Sequence, residues 1–171
     1  MRKILFITTA IVLLFLAPAL SAAENDDWTG PTFEFENMDG ENMTQADVFT
    51  DGKLYLIDFW ASWCRPCQQY LPHLADLVDE FGDRGLVVVI FCIDEAGTIS
   101  TARAMLAGED YPFTVLFDPE GSVKEQIGVR RIPTTVLLSP TGEELWRHVG
   151  YESGVEDDVK EQIEANLPEE E

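Results

Sequence analysis

Two stretches of the chain are apolar almost without interruption: Leu54-Tyr55-Leu56-Ile57-Asp58-Phe59-Trp60 and Leu86-Val87-Val88-Val89-Ile90-Phe91-Cys92-Ile93. Runs of this length without polar alternation are the mark of strands covered on both faces. Between them Leu71, Leu74, Leu77, Val78 and Phe81 recur at helical spacing, which predicts a helix from about Arg65 to Phe81. Upstream, Thr32-Phe33-Glu34-Phe35-Glu36 alternates apolar and polar residues and Met38-Asp39-Gly40 supplies a turn, predicting a hairpin at a sheet edge. Downstream, Thr98 is placed to cap a helix whose Ile99, Ala102 and Leu106 face inward, followed by a short strand over Phe113–Phe117. Thr134–Ser139 and Glu144–Val149 then form a hairpin about Pro140-Thr141-Gly142. Ser153 is placed to cap a last helix with the stripe Val155, Val159 and Ile163; Glu156, Asp157 and Asp158 sit at its positive end. Strands alternating with helices give an α/β class with helices on both faces of the sheet.

The ends and the charge narrow the setting. Arg2 and Lys3 precede an apolar run from Ile4 to Leu16 and then the small residues of Ala17 to Ala23, the pattern of a secretory signal peptide cleaved after Ala23, with Ser21 or Ala22 as alternative positions. The alternative is an uncleaved anchor, for which the run is short against the ~20 residues of a membrane span. No cysteine lies near the boundary to carry a lipid. Residues 24–171 then form one domain, too short for two ordinary cores, ending in the acidic tail Pro168-Glu169-Glu170-Glu171. The 171-residue chain has a formal charge of −21, and losing Arg2 and Lys3 makes the remainder more negative still. Such a surface repels nucleic acid and anionic lipid, and disfavours both as partners.

The chemistry gathers in Trp63-Cys64-Arg65-Pro66-Cys67, where two thiols stand one helical turn apart after an apolar strand. At a helix start, unpaired N–H groups and the positive dipole end favour thiolate over thiol. That arrangement suits reversible disulfide exchange, with Cys64 attacking and Cys67, one turn in, resolving. Zinc is the competing use of a cysteine pair, but Cys92, His73 and His148 do not complete a compact four-ligand set. Cys92 reads as a small apolar residue of a buried strand. Asp58 breaks an otherwise apolar strand, so burial there should raise its pKa.

Asp58-Phe59-Trp60-Ala61-Ser62-Trp63-Cys64-Arg65-Pro66-Cys67 resembles the active-site segment of the thioredoxin superfamily. Gly128-Val129-Arg130-Arg131-Ile132-Pro133-Thr134-Thr135 resembles the segment in which that family places a cis-proline facing the dithiol. The N-terminal extension and the long stretch before Pro133 look most like the TlpA/ResA-like thiol–disulfide oxidoreductases of bacterial envelopes. The resemblance implies a thioredoxin fold: a central mixed β-sheet with helices on both faces, an N-terminal β-hairpin extension and an inserted helix–strand unit. It also implies that Asp58 is the buried acid that exchanges a proton with Cys67, and that Pro133 exposes the backbone of Ile132 to an extended substrate peptide. Trp63, Arg65, Pro66 and Arg131 would border the substrate groove, and Trp60 and Trp63, which flank the site, are equally explicable as packing and as a docking rim. Two positions depart from the TlpA-like pattern: Asp58 where asparagine is common, and Tyr70 where a glutamate often follows the second cysteine.

The function implied is exchange of the Cys64–Cys67 dithiol with cysteines of envelope proteins, as a monomer and without metal or organic cofactor. Reduction of substrates is the favoured direction, with apocytochrome c cysteine pairs as one candidate substrate and a membrane partner as electron donor. Disulfide oxidases and isomerases of this fold usually carry histidine where this chain has Pro66. Peroxidases of the fold use one threonine-supported cysteine instead of a helix-opening pair. The non-enzymatic alternative is a binding module that keeps the fold without turnover.

Overall fold

The computed structural model describes residues 27–167; the leader and cleavage site expected at 1–23 and the tail at 168–171 lie outside them. The elements follow in the order β1 (Glu34–Glu36), β2 (Asn42–Thr44), α1 (Gln45–Val48), β3 (Leu54–Trp60), α2 (Arg65–Phe81), β4 (Leu86–Cys92), α3 (Ile99–Leu106), β5 (Thr114–Phe117), α4 (Ser122–Gln126), β6 (Thr134–Leu138), β7 (Glu144–Val149) and α5 (Val155–Asn166). Five strands make one mixed sheet in the order β5-β4-β3-β6-β7. β3, β4 and β5 run parallel, while β6 and β7 pair antiparallel. The long apolar runs occupy the centre because β3 and β4 are covered on both faces, and every residue of β3 is buried.

Strand alternation sorts the side chains into two layers. Leu54, Leu56 and Trp60 of β3, Leu86, Val88, Ile90 and Cys92 of β4 and Leu137 of β6 pack with the buried faces of α2, α3 and α5. Tyr55, Ile57 and Phe59, with Val89, Phe91, Val136 and Leu138, pack on the other face against Phe33, Val48, Phe49 and Val123. α2 turns Cys67, Tyr70, Leu71, Leu74, Leu77 and Phe81 toward the sheet. Each large apolar side chain so buried stabilises by about 1.5–3 kcal/mol, which fixes the face that α2 presents. By the same alternation Asp58 faces the α2 layer.

Three sequence expectations are corrected. The N-terminal hairpin forms, but as a two-stranded sheet of its own, joined to the edge of the main sheet by a single bridge between Asn37 and Leu116. Arg103 of α3 holds it there, donating to the carbonyls of Asn37 (3.0 Å) and Met38 (2.9 Å) and pairing with Glu36. Thr98 does precede α3, yet its hydroxyl donates to the Glu95 carbonyl instead of accepting from the helix. The residue before α5 is Gly154, in a left-handed conformation with φ 99°, not Ser153. Glycine takes that conformation without the Cβ penalty, and the Glu156 carboxylate accepts from its N–H at 2.9 Å. α4 was not anticipated. Asp118, fully buried, accepts from the N–H groups of Ser122 (2.8 Å) and Val123 (2.9 Å) and starts it.

Candidate active site

The C-terminal ends of β3 and β4 and the start of β6 meet at one end of the sheet, where the β3–α2 turn places Cys64 and Cys67. Cys64 is the N-cap residue of α2, and its sulfur accepts from the Cys67 N–H at 3.3 Å. Pro66 stands in the first turn, where an N–H would have no helical partner anyway. The two cysteines form a disulfide with Cα atoms 5.3 Å apart. Cys64 keeps 5% of its surface exposed and Cys67 1%, so the first sulfur is the one a partner reaches more readily.

The turn before Cys64 is held by a group the sequence reading overlooked. Asp94, fully buried just past β4, accepts from the Ser62 N–H and the Ser62 hydroxyl, both at 2.6 Å. Gln68 closes the other side by donating to the Ser62 carbonyl. An acidic residue at the end of a central strand is a visible signal, but nothing local says that its partner lies 32 residues earlier.

Asp58 is 1% exposed and its Oδ2 accepts from the Thr135 hydroxyl at 2.7 Å. Burial pushes its pKa up to about 8, with the Thr135 hydrogen bond opposing the rise. An acid so placed can hold or release a proton near neutral pH. Thr135 comes to it because β6 lies antiparallel to β3 with Asp58 opposite Thr135. Two residues earlier, the Ile132–Pro133 bond is cis. Pro133 is buried with its carbonyl accepting from Gly150 N–H at 2.9 Å, whereas Ile132 is partly exposed. Arg65, Arg130 and Arg131 are exposed. The two tryptophans separate: Trp63 is 64% exposed, while Trp60 is buried in the α2 layer and is no part of a rim.

Cys92 lies in the same layer with its sulfur 3.5 Å from Asp94 Oδ2, and burial pushes its pKa up to about 12. A thiol held protonated and out of reach reacts slowly. After reduction of the disulfide, limiting iodoacetamide at neutral pH should modify Cys64 first, and Cys92 only once the protein unfolds. Peptide mass mapping reads the order; rapid native labelling of Cys92 would show that this strand opens.

Known proteins resemble this chain in sequence and fold. Thioredoxin-like protein YneN of Bacillus subtilis is 32% identical over 120 residues, covering 70% of this chain and 69% of YneN. The thiol-disulfide oxidoreductase ResA of Oceanobacillus iheyensis is also 32% identical, but the match spans only 54% of its length and 63% of this chain. The crystal structure of a putative thiol:disulfide interchange protein DsbE from Chlorobium tepidum superposes with a TM-score of 0.73 at 32% identity, covering 81% of this chain and 95% of that one. The profile of the AhpC/TSA family matches residues 29–143, a span that holds β1 to β6, the cysteine pair, Asp58 and the cis-proline. With its sheet, its helix-capping disulfide and these relatives in agreement, the chain belongs to the AhpC/TSA family and takes the thioredoxin fold.

Proposed function

We propose that this protein is an exported thiol–disulfide oxidoreductase that reduces disulfides of envelope proteins. The observation that carries the reading is the Cys64–Cys67 disulfide at the start of α2, its outer sulfur accepting a helix N–H. That N–H and the positive helix end stabilise negative charge on Cys64 when the bond is open. In the reduced protein the Cys64 thiolate attacks a substrate disulfide, forming a mixed disulfide and expelling one substrate thiolate. Cys67 then gives up its proton and attacks Cys64, so the second substrate thiolate leaves and two electrons have passed to the substrate. Asp58, whose side of β3 faces the layer that holds Cys67, is the acceptor for that proton. Trp63, Arg65, Pro66, Ile132 and Pro133 border the place where the substrate strand would lie, and a membrane electron donor would reopen the Cys64–Cys67 bond.

Export rests on the leader read from residues 1–23. Among the described residues no helix is long and apolar enough to cross a membrane. The reducing direction rests on Pro66, since an exposed Arg65 stabilises a thiolate only weakly and salt screens it.

Turbidity from insulin reduction, driven by dithiothreitol, tests the exchange itself. Equilibration with glutathione tests the direction: a potential nearer about −270 mV than about −120 mV is expected, together with a mostly reduced pool in acid-quenched cells. A potential near the upper value with an oxidised pool would make the protein an installer of disulfides.

A further inference from the structure

Tyr70 lies one helical turn past Cys67 on the buried face of α2. Its side chain is 1% exposed, yet among the described residues its hydroxyl has no hydrogen-bond partner. Phenylalanine would fill the same space without stranding a polar atom. The surroundings of the hydroxyl suggest what it is for. Burial, followed by the Asp58 charge, pushes its pKa well up, as do Glu156 of α5 and Tyr151 after β7, while the Thr135 hydroxyl of β6, near it but outside hydrogen-bond geometry, pulls the other way. The nearby histidines are His73, one turn on along α2, and His148, which stands opposite Thr135 in the β6–β7 ladder.

Two separately bonded sets of groups neighbour Tyr70, one in the interior and one toward the surface. Thr135 donates to Asp58 at 2.7 Å. The Tyr70 and Tyr151 rings lie 4.9 Å apart, and the Tyr151 hydroxyl donates to Glu156 Oε1 at 2.7 Å. His73 Nε2 is 3.3 Å from the same oxygen, and its Nδ1 is 4.0 Å from Asp76. An ionised carboxylate accepts up to about four hydrogen bonds, so Asp58 has room for a second donor beside Thr135.

We propose that Tyr70 is a positioning residue for the proton on Asp58: its hydroxyl donates to the carboxylate once that proton has left, directly or across one buried water. In the disulfide form burial keeps Asp58 largely protonated near neutral pH, and a neutral carboxyl is a weaker acceptor than a carboxylate. The need arises in the resolving step, so the inference rests on the exchange reading above. There Cys67 passes its proton to the Asp58 carboxylate, the Cys67–Cys64 bond forms, and the bond from Cys64 to the substrate sulfur breaks. The electron pair leaves on the substrate thiolate, which is protonated by water. Asp58 accepts only as a carboxylate, so the hydroxyl that stabilises this form sets how much acceptor exists at a given pH.

The test is the titration of Asp58 in the oxidised protein, followed by its carboxyl carbon resonance. In Tyr70→Phe the midpoint should rise by about one pH unit, a tenfold smaller carboxylate fraction on the acid side. In the wild type, the Tyr70 Cζ resonance should move with the same midpoint as Asp58. That measurement needs no variant, so a folding defect in Tyr70→Phe would not remove the test. The rate at which the reduced variant closes its disulfide with oxidised glutathione should fall about tenfold below the midpoint and approach wild type above it. A hydroxyl with only a packing role would change melting temperature and leave midpoint and rate profile in place, which would overturn the proposal; so would a Tyr70 resonance indifferent to Asp58. Both titrations are read in the resting protein. A wild type that exchanges no disulfides would sink the proposed function without deciding the coupling.

Discussion

Cys67→Ser should capture substrates that the wild-type protein releases. With the resolving sulfur gone, Cys64 can still attack a partner disulfide, because the helix end and the N–H that stabilise its thiolate stay in place. The mixed disulfide then has no internal exit. Turnover in the insulin assay should fall by at least ~10³-fold, the scale on which groups acting as one catalytic unit fail when one is removed. Adducts that disappear on adding dithiothreitol should accumulate on non-reducing gels of cell extracts. Mass spectrometry of these adducts identifies the partners, and decides whether apocytochrome c is among them. Cys64→Ser should lose turnover equally and capture little, since Cys67 is the more deeply buried sulfur, at 1% exposed. Equal or greater capture through Cys67 would reverse the two roles.

Asp58→Asn should stabilise the protein while slowing it. The folded-state pKa of Asp58 is raised from 3.8 to about 8, first of all by burial. The folded protein therefore binds a proton there that the unfolded chain has already lost, across the window from about pH 4 to pH 8. The stability tied to this proton is fully present below pH 4 and is lost as pH rises through 8. At ~1.4 kcal/mol per tenfold, the wild type should lose on the order of 5 kcal/mol across that window. Asparagine removes this dependence, so at pH 7 the variant should be more stable by on the order of 3–4 kcal/mol. Urea titrations at pH 5, 7 and 9 would show curves that diverge with rising pH. Turnover should meanwhile drop about 10²-fold near neutral pH, as expected when a general acid–base group is lost. A variant whose stability gain does not grow with pH would mean that Asp58 ionises freely in the folded protein. Unchanged turnover across the pH range would remove it from the proton transfer.

Both outcomes depend on features that differ in how far the chain announces them. The apolar runs at Leu54–Trp60 and Leu86–Cys92, the stripe along Arg65–Phe81 and the cysteine spacing are written in near neighbours. Burial periodicity and helix position are local properties, so strand, helix and the capping place of Cys64 could be read residue by residue. Asp58 stood out for the same reason, as one carboxyl in an apolar strand.

Strand order and register are long-range, and they decided the rest. Thr135 reaches Asp58 across 77 residues because β6 pairs antiparallel with β3, and a slip of one residue would turn Thr135 to the other face. Asp94 clamps Ser62 only because β4 ends beside the β3–α2 turn. Trp60 and Trp63 look alike in sequence, yet one fills the α2 layer and the other stands in solvent. The caps went wrong for a related reason. Ser153 and Thr98 have suitable side chains, but whether an oxygen reaches a helix N–H depends on the backbone angles of the approach, and these are set by where the preceding strand lets the chain turn. The sequence alone determined that two sulfurs share a helix start and that an acid interrupts the apolar strand before them. Only the pairing of β3 with β6 decided which hydroxyl meets that acid, because Thr135 and Asp58 are neighbours in space and not along the chain.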